Sequence, residues 1–199
     1  MPQERHQERH QERGRIGGAD RPHSHLGWHS RGYLPHLDHP GLIQSITFRL
    51  ADSLPTSESA KWAELSQVAG TPERRALAES WLDRGYGSCA LRDPTLAAIV
   101  QRALLFFDGQ RCSVLAWVVM PNHIHVLIVV MPGWPVQLLV KSWKSHTARA
   151  INTCLGERGA FWQADYFDRF VRDEEHLRRE IAYIEENPVK AGLVGRPTD

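Results

Sequence analysis

The sequence predicts an α+β fold in which the element order β, α, β, β, α, β builds one antiparallel sheet and one further helix follows. Alternating polar and apolar residues with β-branched side chains indicate a strand over 44–50. Two almost continuously apolar segments, 112–119 and 123–131, flank the tight-turn pair Pro121-Asn122, which predicts a hairpin at the centre of the sheet. A short strand is predicted over 165–171.

Apolar residues at helical spacing predict three helices beside these strands, over about 94–107, 136–154 and 174–186. Asp173 is suited to cap the last helix, and Pro188 is expected to stop it. The combined order matches the split βαββαβ plan of ferredoxin-like and RRM-like domains, with helices on one face. Many unrelated functions use this plan, so it does not identify one.

The chain of 199 residues suffices for a single domain with a core. Residues 1–30 repeat Gln-Glu-Arg-His and are poor in apolar side chains, which predicts a disordered polar tail. Its histidines either bind a metal or are simply solvated. Order is expected over 31–195, with a helical insert at 51–92.

Charge and cysteine content exclude several classes of protein. The net charge of +1 is unlike that of a duplex-coating protein. Three scattered cysteines, Cys89, Cys112 and Cys154, indicate free thiols rather than disulfides or a zinc knuckle. No apolar run is long enough to span a bilayer, and the polar N-terminus carries no hydrophobic stretch typical of a signal peptide. We therefore expect a cytoplasmic protein.

The segment His123-Ile124-His125 is the first candidate for chemistry. Residues two apart on a strand point to the same face, so the two imidazoles can chelate one metal ion while Ile124 points into the core. A pair of surface histidines without a ligand is the alternative.

The last predicted helix carries the second candidate. Leu177, Ile181 and Ile184 form its apolar stripe, and at about 100° per residue Tyr183 falls off that stripe. Asn187, four residues later, lies on the same flank as Tyr183. The alternative is an amphipathic tyrosine at the edge of the core.

The two candidates fit one chemistry. A metal ion held by two histidines and an oxygen ligand polarises a phosphoryl oxygen and stabilises the charge that develops on it. A tyrosine hydroxyl is a weak nucleophile near neutral pH, and a nearby cation lowers the cost of ionising it. The mixed imidazole and oxygen set suits Mg²⁺ or Mn²⁺ better than a structural zinc ion.

Two segments of the chain resemble a known family. Residues 116–127, Ala-Trp-Val-Val-Met-Pro-Asn-His-Ile-His-Val-Leu, resemble the HUH signature of IS200-like single-tyrosine transposases, most closely the REP-associated tyrosine transposases. Residues 182–192, Ala-Tyr-Ile-Glu-Glu-Asn-Pro-Val-Lys-Ala-Gly, resemble the tyrosine helix of that family. Further landmarks cover 31–36, 144–147 and 161–163, and the resemblance extends over about 31–195.

The resemblance implies a single-strand DNA endonuclease and strand transferase that acts at hairpin repeats. Tyr183 matches the nucleophile that forms a 5′-phosphotyrosine on the C-terminal catalytic helix. His123 and His125 match the metal ligands for Mg²⁺ or Mn²⁺, and Asn187 matches the third ligand, with Glu186 as the alternative. The implied partners are REP-like single-stranded DNA hairpins, without a membrane, for a monomer or homodimer in the bacterial cytoplasm at the nucleoid.

Basic and aromatic side chains are candidates for holding DNA, because cations neutralise phosphates and rings stack on bases. A solvated basic face is the alternative for any single one of them. Trp162 is expected in the core. The candidates are Arg31, Tyr33, Lys141, Trp143, Lys144, Arg149 and Lys190.

Two other functions fit the same fold. A four-stranded split sheet can bind single-stranded nucleic acid without cleaving it. A metal-dependent hydrolase would use water in place of Tyr183 as the nucleophile.

Overall fold

The computed structural model describes residues 23–30, 35–54, 77 and 80–197 of the chain. The strands in these residues are β1 Gly27–Ser30, β2 Pro35–Asp38, β3 Ile43–Arg49, β4 Cys112–Val119, β5 His123–Val130 and β6 Phe167–Phe170. The α-helices that lie wholly within these residues are α1 Pro94–Leu105, α2 Val136–Leu155 and α3 Glu174–Lys190. Most of the predicted helical insert lies outside the described residues, apart from 51–54, 77 and the segment from 80 onward.

The four strands β3 to β6 form one sheet in the order β4-β5-β3-β6, and all neighbours are antiparallel. This arrangement confirms the predicted split βαββαβ fold. The prediction that both hairpin strands are central is correct for β5 and wrong for β4, which lies at an edge. The apolar content of β4 has another cause, since helices pack on both of its faces: α1 contacts one and α3 the other.

The alternation of side chains along β5 divides the sheet into two faces. Ile124, Val126 and Ile128 are fully buried in the main core with α1 and α2. The intervening residues face α3, where Leu127 joins a second, smaller cluster. Because the strand period is two residues, His123 and His125 share the face of Leu127 and lie under α3.

The C-terminal helix α3 covers this second face with the predicted apolar stripe. Ile184 is buried, and Leu177 and Ile181 pack beside it against Val118 and Leu127. Burial of one such side chain contributes roughly 1.5–3 kcal/mol. The N-terminus is capped as predicted, because the carboxylate of Asp173 accepts a hydrogen bond from the His176 amide.

The end of α3 differs from the prediction, because the helix continues through Pro188 to Lys190. The proline ring removes one backbone bond, that to the Ile184 carbonyl. The next turn is closed by bonds from Ala191 to Asn187 and from Leu193 to Pro188, at 3.0 and 2.9 Å. Asn187 is therefore helical and 4% exposed.

The N-terminal hairpin β1–β2 was not predicted. Strand β1 lies inside the segment expected to be disordered, so that prediction is wrong for residues 27–30. Buried polar groups hold the hairpin: Asp38 accepts bonds from the Leu26 and Val136 amides and contacts the His25 ring. Polar residues such as these carry no apolar periodicity, so the pattern that marks the other strands is missing here.

A second buried contact joins β2 to β6. His36 is 1% exposed, and its Nδ1 lies 2.5 Å from Asp168 while its Nε2 lies 3.5 Å from Asp165. Burial alone would lower the pKa of His36, but the hydrogen bonds and charges of Asp165 and Asp168 raise it to about 9. The ring is therefore a buried cation at neutral pH that ties the hairpin to the sheet.

All three cysteines are free thiols, as predicted, with Cys89 and Cys112 buried and Cys154 exposed. Burial raises the pKa of the Cys112 thiol to about 12, which keeps it protonated and unreactive. Among the helices in the described part of the chain, none is long and apolar enough to cross a membrane.

We expect the stability of the protein to depend on pH through His36. Its folded pKa lies above the ordinary value of 6.5, so its stabilisation is complete below pH 6.5 and is lost as the pH rises through about 9. Urea unfolding of wild type and His36→Gln should give a difference in unfolding free energy that shrinks by on the order of 3 kcal/mol across this window. A difference that stays constant with pH would contradict the assignment.

Candidate functional site

The rings of His123 and His125 converge on one point of the α3-facing side of β5. Their Nε2 atoms lie 3.0 Å apart, and the ring planes are inclined by 86°. Each side chain is 1% exposed. Strand pleating places the two rings side by side, as the spacing predicts.

Each histidine is held through its other ring nitrogen. His123 Nδ1 lies 2.8 Å from the Asn122 side-chain oxygen, and His125 Nδ1 lies 2.8 Å from the Thr47 hydroxyl. Thr47 is directly opposite His125 across the β3–β5 pairing. Second partners of this kind fix the ring orientation of metal-binding histidines and leave the Nε2 atoms for the ion.

Burial strongly favours the neutral form of His123. It lowers the pKa of His123 to about 3, so the ring is uncharged at physiological pH. A metal ion binds neutral imidazole, so no proton has to be removed from His123 before it can act as a ligand.

The spacing of the two nitrogens fits a hard divalent ion. Two adjacent ligands of an octahedral ion, each about 2.1 Å from it, lie about 3.0 Å apart. Within the described residues, no group of three His, Cys, Asp or Glu side chains could hold a metal ion. A third protein ligand from these described residues would therefore be of another type, and an amide oxygen is acceptable to Mg²⁺ or Mn²⁺.

Helix α3 brings Tyr183 to the histidines. The ring centroids of His125 and Tyr183 are 5.2 Å apart with an interplanar angle of 82°. The ring is half-buried against the second cluster, and its hydroxyl oxygen is shielded from solvent. Tyr183 and Asn187 line one cavity of about 90 Å³, together with Asp83, Lys190 and Ala191.

The two candidates for the third ligand lie in different environments. Asn187 is buried and faces the cavity beside Tyr183. Glu186 is on the exposed side of the helix, where its carboxylate pairs with Lys190 at 2.8 Å. The geometry therefore favours Asn187, which the spacing also favours, over Glu186.

The predicted DNA contacts separate into surface and interior residues. Lys141, Arg149 and Lys190 are exposed. Trp143 is 1% exposed in the main core, so its ring offers no surface for a base. Arg31 and Tyr33 lie outside the described residues.

Lys144 has a structural position. Its ammonium donates to the backbone carbonyls of Gln163, Ala164 and Asp165 at 2.6, 2.8 and 3.3 Å. Beside it, the indole of Trp162 donates to the Thr147 hydroxyl at 2.9 Å, and Trp162 is buried as predicted. The landmarks at 144–147 and 161–163 thus hold the loop that leads into β6.

Sequence reasoning missed three residues next to the histidines. Thr47 and Asn122 were seen only as parts of a strand and a turn. Arg49 lies opposite His123 across the strands, is 6% exposed and donates to the Ser53 hydroxyl at 3.0 Å. Burial lowers the pKa of Arg49 to about 10, so it remains a cation. Strand alternation placed these side chains on one face, but only the cross-strand register shows that they meet.

The contrast between Lys144 and Lys141 gives a testable prediction. Lys144→Met should lower the unfolding free energy by about 1–3 kcal/mol, because three carbonyls lose a charged donor. Lys141→Met, on the exposed face of the same helix, should change it by less than about 0.5 kcal/mol. Equal effects of the two substitutions in denaturant unfolding would contradict the structural role of Lys144.

Comparisons with known proteins agree with this architecture. Residues 94–187 match the family described as transposase IS200 like. Among curated proteins, none matches the sequence. A solved REP-associated tyrosine transposase bound to a REP hairpin is 17% identical, with a TM-score of 0.53, over 82% of this chain and 76% of that one.

A second solved structure, a putative transposase from Deinococcus radiodurans R1, is 19% identical over 80% of this chain and 96% of that one. Its TM-score is 0.39. The first structure shares the fold. The family match spans residues 94–187, a segment that contains His123, His125 and Tyr183.

Proposed function

We propose that this protein is a transposase that nicks single-stranded DNA with Tyr183 and transfers the strand, in a reaction that depends on Mg²⁺ or Mn²⁺. One observation supports the proposal above the others: the Tyr183 ring packs against the ring of His125, one of the two converging histidines. These residues come from separate elements, α3 and β5, yet they form one half-enclosed site.

The proposed cleavage is an in-line displacement at phosphorus. The Tyr183 hydroxyl loses its proton, its oxygen forms a bond to phosphorus, and the bond from phosphorus to the O3′ of the preceding nucleotide breaks. O3′ takes up a proton, leaving a free 3′-hydroxyl and a 5′-phosphotyrosine. The ion that His123, His125 and Asn187 would hold supplies charge stabilisation at the phosphoryl oxygens.

The protein contributes position and a shielded environment. The Thr47 and Asn122 contacts aim the two histidines, and α3 packing fixes the tyrosine beside them. The low exposure of the site strengthens electrostatic interactions with the developing charge. Rejoining is the reverse displacement: a 3′-hydroxyl attacks the phosphotyrosine, and no ATP is consumed because the bond energy is retained.

A hairpin-forming single strand is the proposed DNA substrate. The solved transposase of the same fold is bound to a REP hairpin, and this supports a similar partner here. Lys190 lies at the cavity beside Tyr183, where its charge suits a phosphate. Lys141 and Arg149 are exposed on α2 and are proposed to contact DNA further from the site.

The substitution Tyr183→Phe tests whether this tyrosine is the nucleophile. Wild type and variant are incubated in Mn²⁺ with a hairpin DNA that is labelled on the strand segment 3′ of the cleavage site. The products are separated on a denaturing gel. Wild type should give a labelled band at the protein's mass. Tyr183→Phe should lose this band and lower cleavage by at least about a thousandfold, because the attacking oxygen is gone.

The matched control is Tyr166→Phe, which removes the hydroxyl of another buried tyrosine, one that packs against His36. It should keep the covalent band. Normal cleavage by Tyr183→Phe would instead establish the water-using nuclease. A gel shift without cleavage by wild type on the hairpins flanking the gene would establish a binding module.

The third ligand is tested by metal affinity. Asn187→Ala should raise the dissociation constant for Mn²⁺ at least about tenfold, because a buried oxygen donor is lost. Glu186→Ala removes a carboxylate from the adjacent, exposed position and should change the constant by less than about twofold. Calorimetric titration of both variants with Mn²⁺ decides between the two candidate ligands. A larger loss of affinity in Glu186→Ala than in Asn187→Ala would assign Glu186 as the ligand.

A further inference from the structure

The end of the inserted segment contacts the residue that holds His123. Trp81 and Leu82 are buried, at 2% and 3% exposure. The Asn122 side-chain nitrogen donates to the Leu82 carbonyl at 3.2 Å and to the Tyr86 carbonyl at 3.1 Å. Asn122 itself is 1% exposed.

These contacts determine the orientation of the Asn122 amide. Its nitrogen has two protons, and both carbonyls can only accept, so the nitrogen must face the segment. The oxygen must then face His123, whose Nδ1 lies 2.8 Å away. An amide oxygen can only accept, so His123 Nδ1 carries the proton and its Nε2 presents a lone pair.

We propose that the segment 81–86 fixes the tautomer and the aim of His123 through Asn122, so that this part of the insert is a structural support of the metal site. Asn122 is accordingly a positioning residue. The metal-binding consequence rests on the proposed function, whereas the tautomer of His123 does not.

The segment is well anchored for this role. The Ser88 amide donates to the Asp52 carboxylate at 2.7 Å, and the Leu91 amide donates to the Pro121 carbonyl at 3.0 Å. Gly87, at φ +88°, packs so closely on Asp52 that an added Cβ would meet its carbonyl oxygen at 2.5 Å. The same segment places Asp83 in the cavity beside Tyr183.

The hydrogen bonds from Asn122 through His123 to His125 also predict the tautomer of His125 in the metal-free protein. Since the His123 Nε2 lone pair faces the His125 Nε2 at 3.0 Å, the latter carries a proton in the metal-free protein. His125 Nδ1 then accepts from the Thr47 hydroxyl. Metal binding requires His125 to move its proton to Nδ1, whereas His123 is already in the ligating form.

The test is a long-range ¹H–¹⁵N correlation spectrum of the metal-free full chain, which distinguishes the two tautomers of each ring. Wild type should show His123 protonated only on Nδ1. Asn122→Ala should convert the His123 ring to a mixture of tautomers or to the Nε2-protonated form. Gly87→Ala should cause a partial conversion, because it displaces the segment 81–86. Thr47→Val should leave the His123 tautomer unchanged, but it removes the hydroxyl that contacts His125 Nδ1 and so frees the His125 tautomer.

Mn²⁺ affinity, measured from the free-ion signal in electron paramagnetic resonance, is the second readout. Asn122→Ala should weaken binding by about tenfold to a hundredfold. Gly87→Ala, which keeps Asn122, should weaken it several-fold. An unchanged His123 tautomer and unchanged Mn²⁺ affinity in Gly87→Ala, when its backbone amide shifts show that residues 81–88 have moved, would overturn the role of the insert.

An unchanged His123 tautomer in Asn122→Ala would overturn the role of Asn122. Absence of Mn²⁺ binding by wild type would contradict the proposed metal site alone, because the tautomers of the metal-free protein still decide this inference. If Asn122→Ala fails to fold, Gly87→Ala and Thr47→Val supply the comparison.

Discussion

The site depends on one constraint, the alternation of side chains along β5. Ile124, Val126 and Ile128 must face the main core, because they are its buried centre. The pleat then directs His123 and His125 to the opposite face, where α3 packs. A register shift of one residue would place two imidazoles among the aliphatic side chains of the main core and turn the core residues toward α3, so the packing of the core enforces the face that carries the proposed metal ligands.

Helix α3 completes the site through the helical spacing of its apolar residues. Its apolar stripe fixes the rotation of the helix on the sheet, and that rotation brings Tyr183 to the edge of the contact, beside His125. Continuation of the helix through Pro188 keeps Asn187 on the same flank and buried. Ordinary core packing therefore brings the proposed nucleophile beside the candidate ligand His125.

Local periodicity predicted most of the fold and the faces on which the candidate site residues lie, whereas their roles were implied by the family resemblance. It identified β3, β5 and α3, and with them His123, His125 and Tyr183, because these positions follow from spacings of two and of three to four. It could not reveal Thr47 or Asn122, whose partners lie 78 and 36–40 residues away and meet through cross-strand register and loop packing. Lys144 was misjudged for a similar reason: an ammonium that binds loop carbonyls has the same sequence pattern as one on a solvated face.

The central claim is that the Tyr183 hydroxyl is the nucleophile that captures DNA covalently. Locating the adduct on the chain tests this claim most directly. After incubation of the full chain with Mn²⁺ and hairpin DNA, nuclease trimming and trypsin digestion release residues 180–190, in which Tyr183 is the one tyrosine. Mass spectrometry should find a nucleotide phosphate on that residue. An adduct on another residue, or cleaved DNA with no adduct, would contradict the account.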